Sequence, residues 1–439
     1  MTGRLFLTEL RRTGALWFGI ALAGTAAWLT ADPERWDGAW MATVLAHHAG
    51  LDLLWPLALA AGAWQGRRDR AAGIVDLLAG TARPGWSRVA PQATVVAGCL
   101  AGGYVGGLLD GLGRALLAAT YHPPGWYGPL LLGALSIAAA GLLGLGVGRL
   151  LPSRLTAPLL ALAGLAAIVV VAIGWADSYR PVLLLGPAYL GDADQYSMID
   201  GRVVAGKLVW FTAIAGTGFA LYAAGTRRSR LLATIPTAVG LVAALALFPP
   251  TGPAVRPDPE ATALVCTDEA PRVCVTRLHE PALAQIVDPA RRALALLSRL
   301  PDAPTQVVEE PSRHGTRVEQ RRDSVHLELV IHGDGTVISG QESIEASILD
   351  GAGTWACGAA AADVAGWEPI QAARAAASLW LQGRDARPDE FWPPVQQMVA
   401  DALARLRALP PDEQVARVAA LRAAALDCRP DLYDVLTGS

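Results

Sequence analysis

Charge is what this 439-residue chain lacks most: Asp, Glu, Lys and Arg together make up 17% of it, against about a quarter in soluble domains. So few charges do not cover the surface of a cytosolic globular enzyme. Lysine is all but absent, with Lys207 the single copy, and arginine carries the rest of the positive charge. The formal net charge is −3, so there is no basic surplus to neutralise phosphates, and nucleic acid is excluded as a partner. Chemistry-bearing motifs are scarce too. The five cysteines show no CxxC spacing of a metal site, and no Gly-x-Ser-x-Gly elbow occurs. His279-Glu280 has Leu283 where a zinc-binding HExxH helix needs its second histidine. His314, His326 and His332 are not spaced one helical turn apart, so no metal ligand set is predicted.

What the chain does have is apolar length. Seven stretches, 14–31, 41–64, 89–109, 128–148, 155–176, 208–226 and 231–248, approach or exceed the ~20 residues that cross a bilayer as a helix. Six contain no charge; the second holds Asp52. Helices apolar on every side are solvated by lipid rather than water. Basic residues stay on the cytoplasmic side of short loops. With the N-terminus inside, thirteen arginines (Arg4, Arg11, Arg12, Arg67, Arg68, Arg70, Arg83, Arg88, Arg149, Arg154, Arg227, Arg228, Arg230) lie inside, and Arg35, Arg114, Arg180, Arg202 and Lys207 lie outside. An odd number of spans then makes everything after Phe248 extracytoplasmic. Four cysteines, Cys266, Cys274, Cys357 and Cys428, fall there, and an even number in an oxidising compartment reads as two disulfides. Three pairings are open; Cys266 with Cys274 is favoured because a hairpin through Pro271 brings them together, which leaves Cys357 with Cys428. Cys99 lies within the third span as a packing residue.

Residues 5–12 read as an amphipathic helix on the inner surface, with Leu5, Phe6 and Leu10 toward lipid. The loop after the second span is more informative. Arg67, Arg68, Asp69 and Arg70 precede Gly73, Ile74, Asp76, Leu77 and Leu78, whose apolar members recur at helical spacing. The loop closes on Arg83-Pro84-Gly85-Trp86-Ser87-Arg88.

Over residues 1–230 this pattern resembles the type-2 ABC exporter permease family, with its inner-surface elbow helix, six spans, and an acidic residue, a glycine and a leucine pair before an Arg-terminated turn. Asp69, Gly73, Leu77, Leu78 and Arg88 occupy those places; the family usually has glutamate where Asp69 stands, and a proline nearer the leucine pair than Pro84. The resemblance implies that the short helix docks on a separate ABC nucleotide-binding subunit, with Arg67, Arg68, Asp69, Arg70, Gly73, Ile74, Asp76, Leu77, Leu78 and Arg88 at the joint. It implies further that ATP and magnesium are held by that partner, with no cofactor in this chain, and that a second permease, identical or related, completes the path.

Two polar features need their own reading. Gly201 to Lys207 has the glycine spacing and lysine of a phosphate loop, but Leu208 replaces the Ser or Thr that holds magnesium. The sixth span is taken to start after it, so it is set aside as an outer loop. His47, His48 and Asp52 are the one polar cluster within a span. Asp52 sits ~20 Å above the cytoplasmic end of its helix. The cluster is read either as interfacial residues at a ragged helix start or as the lining of a translocation path or dimer seam.

Beyond a proline-rich linker at 249–260, residues 264–266 and 273–275 suggest a hairpin and 281–300 a helix. Val325, Leu327, Leu329 and Ile331 alternate with polar residues toward Gly333-Asp334-Gly335, a second hairpin signal, and helical periodicity runs from Trp367 onward. The expected fold is therefore a membrane all-α core followed by a small α+β extracytoplasmic domain. Its segments are an elbow helix at 1–13, a six-span permease domain at 14–230, a seventh span at 231–248, the linker at 249–260 and the outer domain at 261–439. The expected function is that of an exporter subunit in the cytoplasmic membrane, moving a peptide, a drug-like molecule or a lipid, with no catalytic residues of its own. A seven-span sensor or scaffold with an outer ligand-binding domain is the main alternative, and a membrane-anchored outer hydrolase a further one.

Overall fold

Hydrocarbon offers no partner to a backbone N–H or C=O, so an apolar chain in lipid closes its hydrogen bonds within helices. A computed structural model describes residues 8–10, 13–31, 39–68, 85–175, 180–191, 193–249, 254–311, 320–331, 337–338, 343–357, 367–386 and 393–438. They fall into two compact units, residues 1–258 and 259–439.

In the first unit the helices are α1 (Ala15–Leu29), α2 (Trp40–Ala49), α3 (Leu51–Gly66), α4 (Gly85–Gly107), α5 (Leu109–Ala118), α6 (Tyr127–Leu150) and α7 (Thr156–Trp175). One turn at Arg180–Leu183 and a short strand, β1 (Ser197–Ile199), lead into α8 (Gly201–Ala223), α9 (Arg227–Leu232) and α10 (Ile235–Leu247), and β2 (Val255–Pro257) follows. Five segments among the described residues are long and apolar enough to cross a bilayer: 85–117, 127–150, 156–173, 201–223 and 227–247. The α2–α3 pair makes a sixth if its 51° bend is counted as one broken span. This is a membrane-embedded chain. The first of the seven expected spans is represented by α1, whose 15 residues rise only ~22 Å, short of the ~30 Å hydrocarbon layer.

The bend in α2–α3 has local causes. At Gly50 the backbone N–H reaches back three residues to the His47 carbonyl at 3.1 Å, tightening the turn. Six residues on, Pro56 lies inside α3; lacking an N–H, it cannot bond the Asp52 carbonyl one turn earlier. Small residues then let α3 and α6 touch along their backbones. A Cβ placed on Gly62 would overlap the Gly141 carbonyl oxygen, one on Gly144 that of Leu59, and one on Gly148 that of Ala63. β1 and β2 form an antiparallel pair, Ser197 opposite Pro257, so part of the expected linker at 249–260 is a strand of the first unit.

The second unit is built on a four-stranded sheet in the order β3 (Leu264–Cys266), β4 (Arg272–Thr276), β5 (Gln306–Glu309), β6 (Ser324–Leu327). The first pair is antiparallel and the other two are parallel. A parallel step needs a crossover, and α11 (Leu283–Leu297) supplies it, burying Ile286, Ala290, Ala293, Leu294 and Leu297 as one stripe. The apolar alternation past Val325 divides in two: β6 joins the sheet, while β7 (Val330–Ile331) and β8 (Val337–Ile338) form the hairpin. Helices α12 (Ile344–Leu349), α13 (Trp367–Gln382), α14 (Pro393–Arg407), α15 (Pro411–Leu426) and α16 (Leu432–Thr437) complete the unit.

Two buried arginines hold the turn at 350–353, where Gly351, Ala352 and Gly353 all have positive φ. Arg374 donates to Asp350 Oδ2 at 2.6 Å and to the Thr354 carbonyl at 2.6 Å. Arg422 donates to the Ala352 and Gly353 carbonyls, each at 2.8 Å; burial, with Arg322 nearby, brings its guanidinium down to about 10. Disulfides join Cys266 to Cys274 across the β3–β4 pair and Cys357 to Cys428 across 71 residues of chain.

Replacing Gly144 by Leu forces α3 and α6 apart and is expected to destabilise the first unit by ~2–3 kcal/mol. Leu at Gly102, where a Cβ would meet nothing within 4 Å, is the control, and both are read by detergent thermal unfolding. Removing the Cys357–Cys428 bridge by paired serine substitution releases the longer loop. It is expected to cost ~4 kcal/mol against ~2.5 kcal/mol for Cys266–Cys274 by loop-closure entropy, measured by denaturant titration.

Candidate functional site

Charge in a span must be compensated, and the first unit places Asp52 directly after the bend at Gly50. α2 ends with His47 and His48, and α3 opens with Asp52 in its first turn, where the helix N-terminus favours a carboxylate. His48 is buried, at 1% exposure, and its Nδ1 lies 2.9 Å from the Pro129 carbonyl. A carbonyl only accepts, so Nδ1 carries the proton and Nε2 of the neutral ring is left as an acceptor. That Nε2 has no partner at hydrogen-bond geometry among the described residues. His47 is turned elsewhere: its Nε2 lies 2.9 Å from the Tyr104 carbonyl and its ring 4.4 Å from the Tyr104 ring.

The lysine set aside as part of an outer loop belongs to this cluster. A strand does precede Gly201, but the chain turns helical at Gly201 itself, capped by the Asp200 carboxylate accepting from the Arg202 N–H at 2.8 Å. No loop remains to cradle a phosphate, and α8 begins seven residues before the predicted start of its span. The Arg202 N–H and then Arg256, 2.6 Å away, hold the Asp200 carboxyl below the usual carboxylate range. Two turns into α8, Lys207 is fully buried; its Nζ donates to the Gly186 carbonyl at 2.7 Å and lies 5.6 Å from the Phe211 ring centre. The ammonium acts electrostatically on both Asp52 and His48.

These groups border a cavity of about 550 Å3 inside the first unit. His48, Asp52 and Trp55 line one side, α7 residues from Gly164 to Ala172 another, and Leu183, the residues from Leu185 to Gly191 and Ala193, with Trp210 and Ile214, line a third. Trp210 Nε1 is tied to the Leu185 carbonyl at 3.0 Å, while Trp55 Nε1 has no hydrogen-bond partner among the described residues. Of the cluster read from the sequence, His48 and Asp52 thus share the cavity and His47 packs behind it. Lys207 was missed because the span was started after it, although a lysine bordering an apolar run is itself a signal of a membrane-depth charge.

The expected joint with an ATPase is seen only at its ends. Arg67 stacks on Trp64 at 3.8 Å, and Arg68 and Gln65 donate to the Thr13 carbonyl before α1. Arg88 lies in the first turns of α4. Asp69, Arg70, Gly73, Ile74, Asp76, Leu77 and Leu78 lie outside the described residues, as does most of the elbow at 1–13.

A second, smaller cavity of about 280 Å3 lies in the second unit, lined by Glu309, Glu310, Arg321, Ser324 and His326 among others. Glu309 accepts from the Thr276 N–H at 2.6 Å and meets His279 Nδ1, both side chains being buried. His326 Nδ1 is 3.4 Å from Glu310 Oε2 without hydrogen-bond alignment. Among the described residues no three His, Cys, Asp or Glu side chains gather to hold a metal ion.

Because Lys207 is the only lysine and is sealed, an amine-reactive ester is expected to leave it unmodified in the folded chain and to label it after unfolding in SDS. Peptide mass spectrometry reads both states, and labelling in the folded state would contradict the burial. Comparison of the chain with known protein families, characterised proteins and solved structures finds no match.

Proposed function

We propose that residues 14–230 form the permease domain of an ABC exporter and that the chain works with a separate ATPase subunit, which binds the ATP and magnesium. The observation that carries this reading is a cavity among the apolar helices beside the bend between α2 and α3, with a carboxylate and an imidazole on its wall. Interrupted helices and ionisable side chains in hydrocarbon are costly, and membrane proteins keep them where a substrate or ion is handled. The arginine distribution supports a cytoplasmic N-terminus and a cytoplasmic loop at 67–88. The two disulfides of the second unit support its exposure to an oxidising compartment outside the cytoplasmic membrane. One such domain lines half of a path, so two permeases, identical or related, are expected to face each other.

A seven-span sensor is the second reading, favoured by the cavity of the second unit with its Glu310, Arg321, Ser324 and His326. The two readings part on one experiment. The chain is expressed with its genomic neighbours, extracted in mild detergent, captured, and assayed for ATP hydrolysis. The exporter reading expects a stoichiometric ATPase subunit, and expects Asp at both Leu77 and Leu78 to reduce its recovery at least tenfold while the chain still inserts. Capture of the chain with no nucleotide-binding subunit favours the sensor.

A further inference from the structure

We propose that the membrane-depth cavity binds a lipophilic molecule carrying a primary or secondary amine, its ammonium seated between Asp52 and His48. Naming this molecule as exported cargo rests on the exporter reading; the binding itself does not. The size suits a ligand of drug dimensions, since such pockets run from about 300 to 1,000 Å3, and this one holds about 550 Å3. Most of the wall is apolar, with Leu45, Ile168, Val171 and Leu190 among its residues, so the body of the ligand is apolar too.

The head group follows from what the polar atoms lack. Among the described residues Asp52 is the only formally charged side chain lining the cavity, it is exposed, and no hydrogen bond or ion pair there holds its carboxylate. One turn away, His48 Nε2 is a buried acceptor without a donor, for the reason given above. The Pro187 carbonyl also faces that ring. Three acceptors around one end of an apolar chamber call for a group that offers several N–H donors and positive charge. An ammonium does this; a carboxylate or a phosphate does the opposite. Trp55, Trp210 and Tyr189 also line the cavity, and aromatic rings attract a cation.

Lys207 does not compete for this role, because it is sealed behind the wall with its Nζ on the Gly186 carbonyl. A head group without positive charge would leave the carboxylate without a direct ion-pair partner among the described residues.

The test uses the full chain in lipid nanodiscs and three matched probes: 1-pyrenebutylamine, 1-pyrenebutanol and 1-pyrenebutanoate. Saturable energy transfer from tryptophan to pyrene is read, with empty nanodiscs subtracted. The amine is expected to bind at least tenfold more tightly than the alcohol, and the acid to show no saturable signal. Asp52→Asn is expected to weaken the amine at least tenfold and change the alcohol less than twofold, the alcohol serving as a check on folding. Ala167→Trp, which fills the chamber from α7, is expected to abolish both. Equal binding of amine and alcohol overturns the proposal, as does tightest binding of the acid, an unchanged amine affinity in Asp52→Asn, or intact binding in Ala167→Trp. The wild-type comparison stands even if a variant does not fold. Selective amine binding in a chain that recruits no ATPase keeps this inference and removes the exporter reading; an ATPase partner without amine selectivity does the reverse.

Discussion

An ammonium held inside an apolar helix bundle is the constraint on which the first unit turns. A charge near the centre of a bilayer costs about 2.5–3.5 kcal/mol on insertion scales, and Lys207 meets that cost in two ways. Its Nζ bonds the Gly186 carbonyl, which holds that turn of chain against α8, and its field falls on Asp52. The carboxylate in turn sits in the first turn of α3 because the chain breaks at Gly50. Lysine, broken span and fixed segment are therefore one arrangement, and the cavity is the space they enclose.

That arrangement needs a rigid frame, which the glycines provide. Where Gly62, Gly144 and Gly148 bring α3 and α6 into backbone contact, no side chain can rearrange to absorb a shift. Asp52 is thus presented to the cavity from a helix whose far half is clamped. Another part of the wall is α7, which packs on α3 through Gly164 and is otherwise largely uncovered by the rest of the chain. A cavity bordered on one side by a helix that faces out of the bundle is suited to admitting lipophilic molecules from the membrane itself.

Much of this was legible in the sequence, and the failures have physical causes. Apolar runs located the membrane helices because lipid-facing segments obey one rule, hydrophobicity over length; the cysteine pairs followed from a hairpin and an even count. Periodicity could not place the start of α8: Gly201 to Lys207 is polar enough to read as a loop, and only the Asp200 cap and the buried seat of Lys207 reveal it as helix. Nor could it foresee β1 pairing with β2 across more than fifty residues, or β5 lying parallel between β4 and β6, since long-range pairing leaves no local period. His48 and Asp52 were visible as a pair four residues apart. Their partner Lys207 was not, because nothing local in the sequence links positions 52 and 207.

In the second unit the arginine-held turn and the two disulfides fix a small domain whose own cavity is polar where the membrane cavity is apolar. The two chambers thus offer different chemistries within one chain, and the membrane chamber carries the functional reading. Its foundation is the coupling between Asp52 and Lys207, which a double-mutant cycle measures most directly: unfolding free energies of Asp52→Asn, Lys207→Met and the double variant in one detergent. The account predicts that each single change leaves an uncompensated charge, and that the double variant is more stable than the sum of the singles implies by about 1 kcal/mol or more. Additivity within about 0.5 kcal/mol would contradict it.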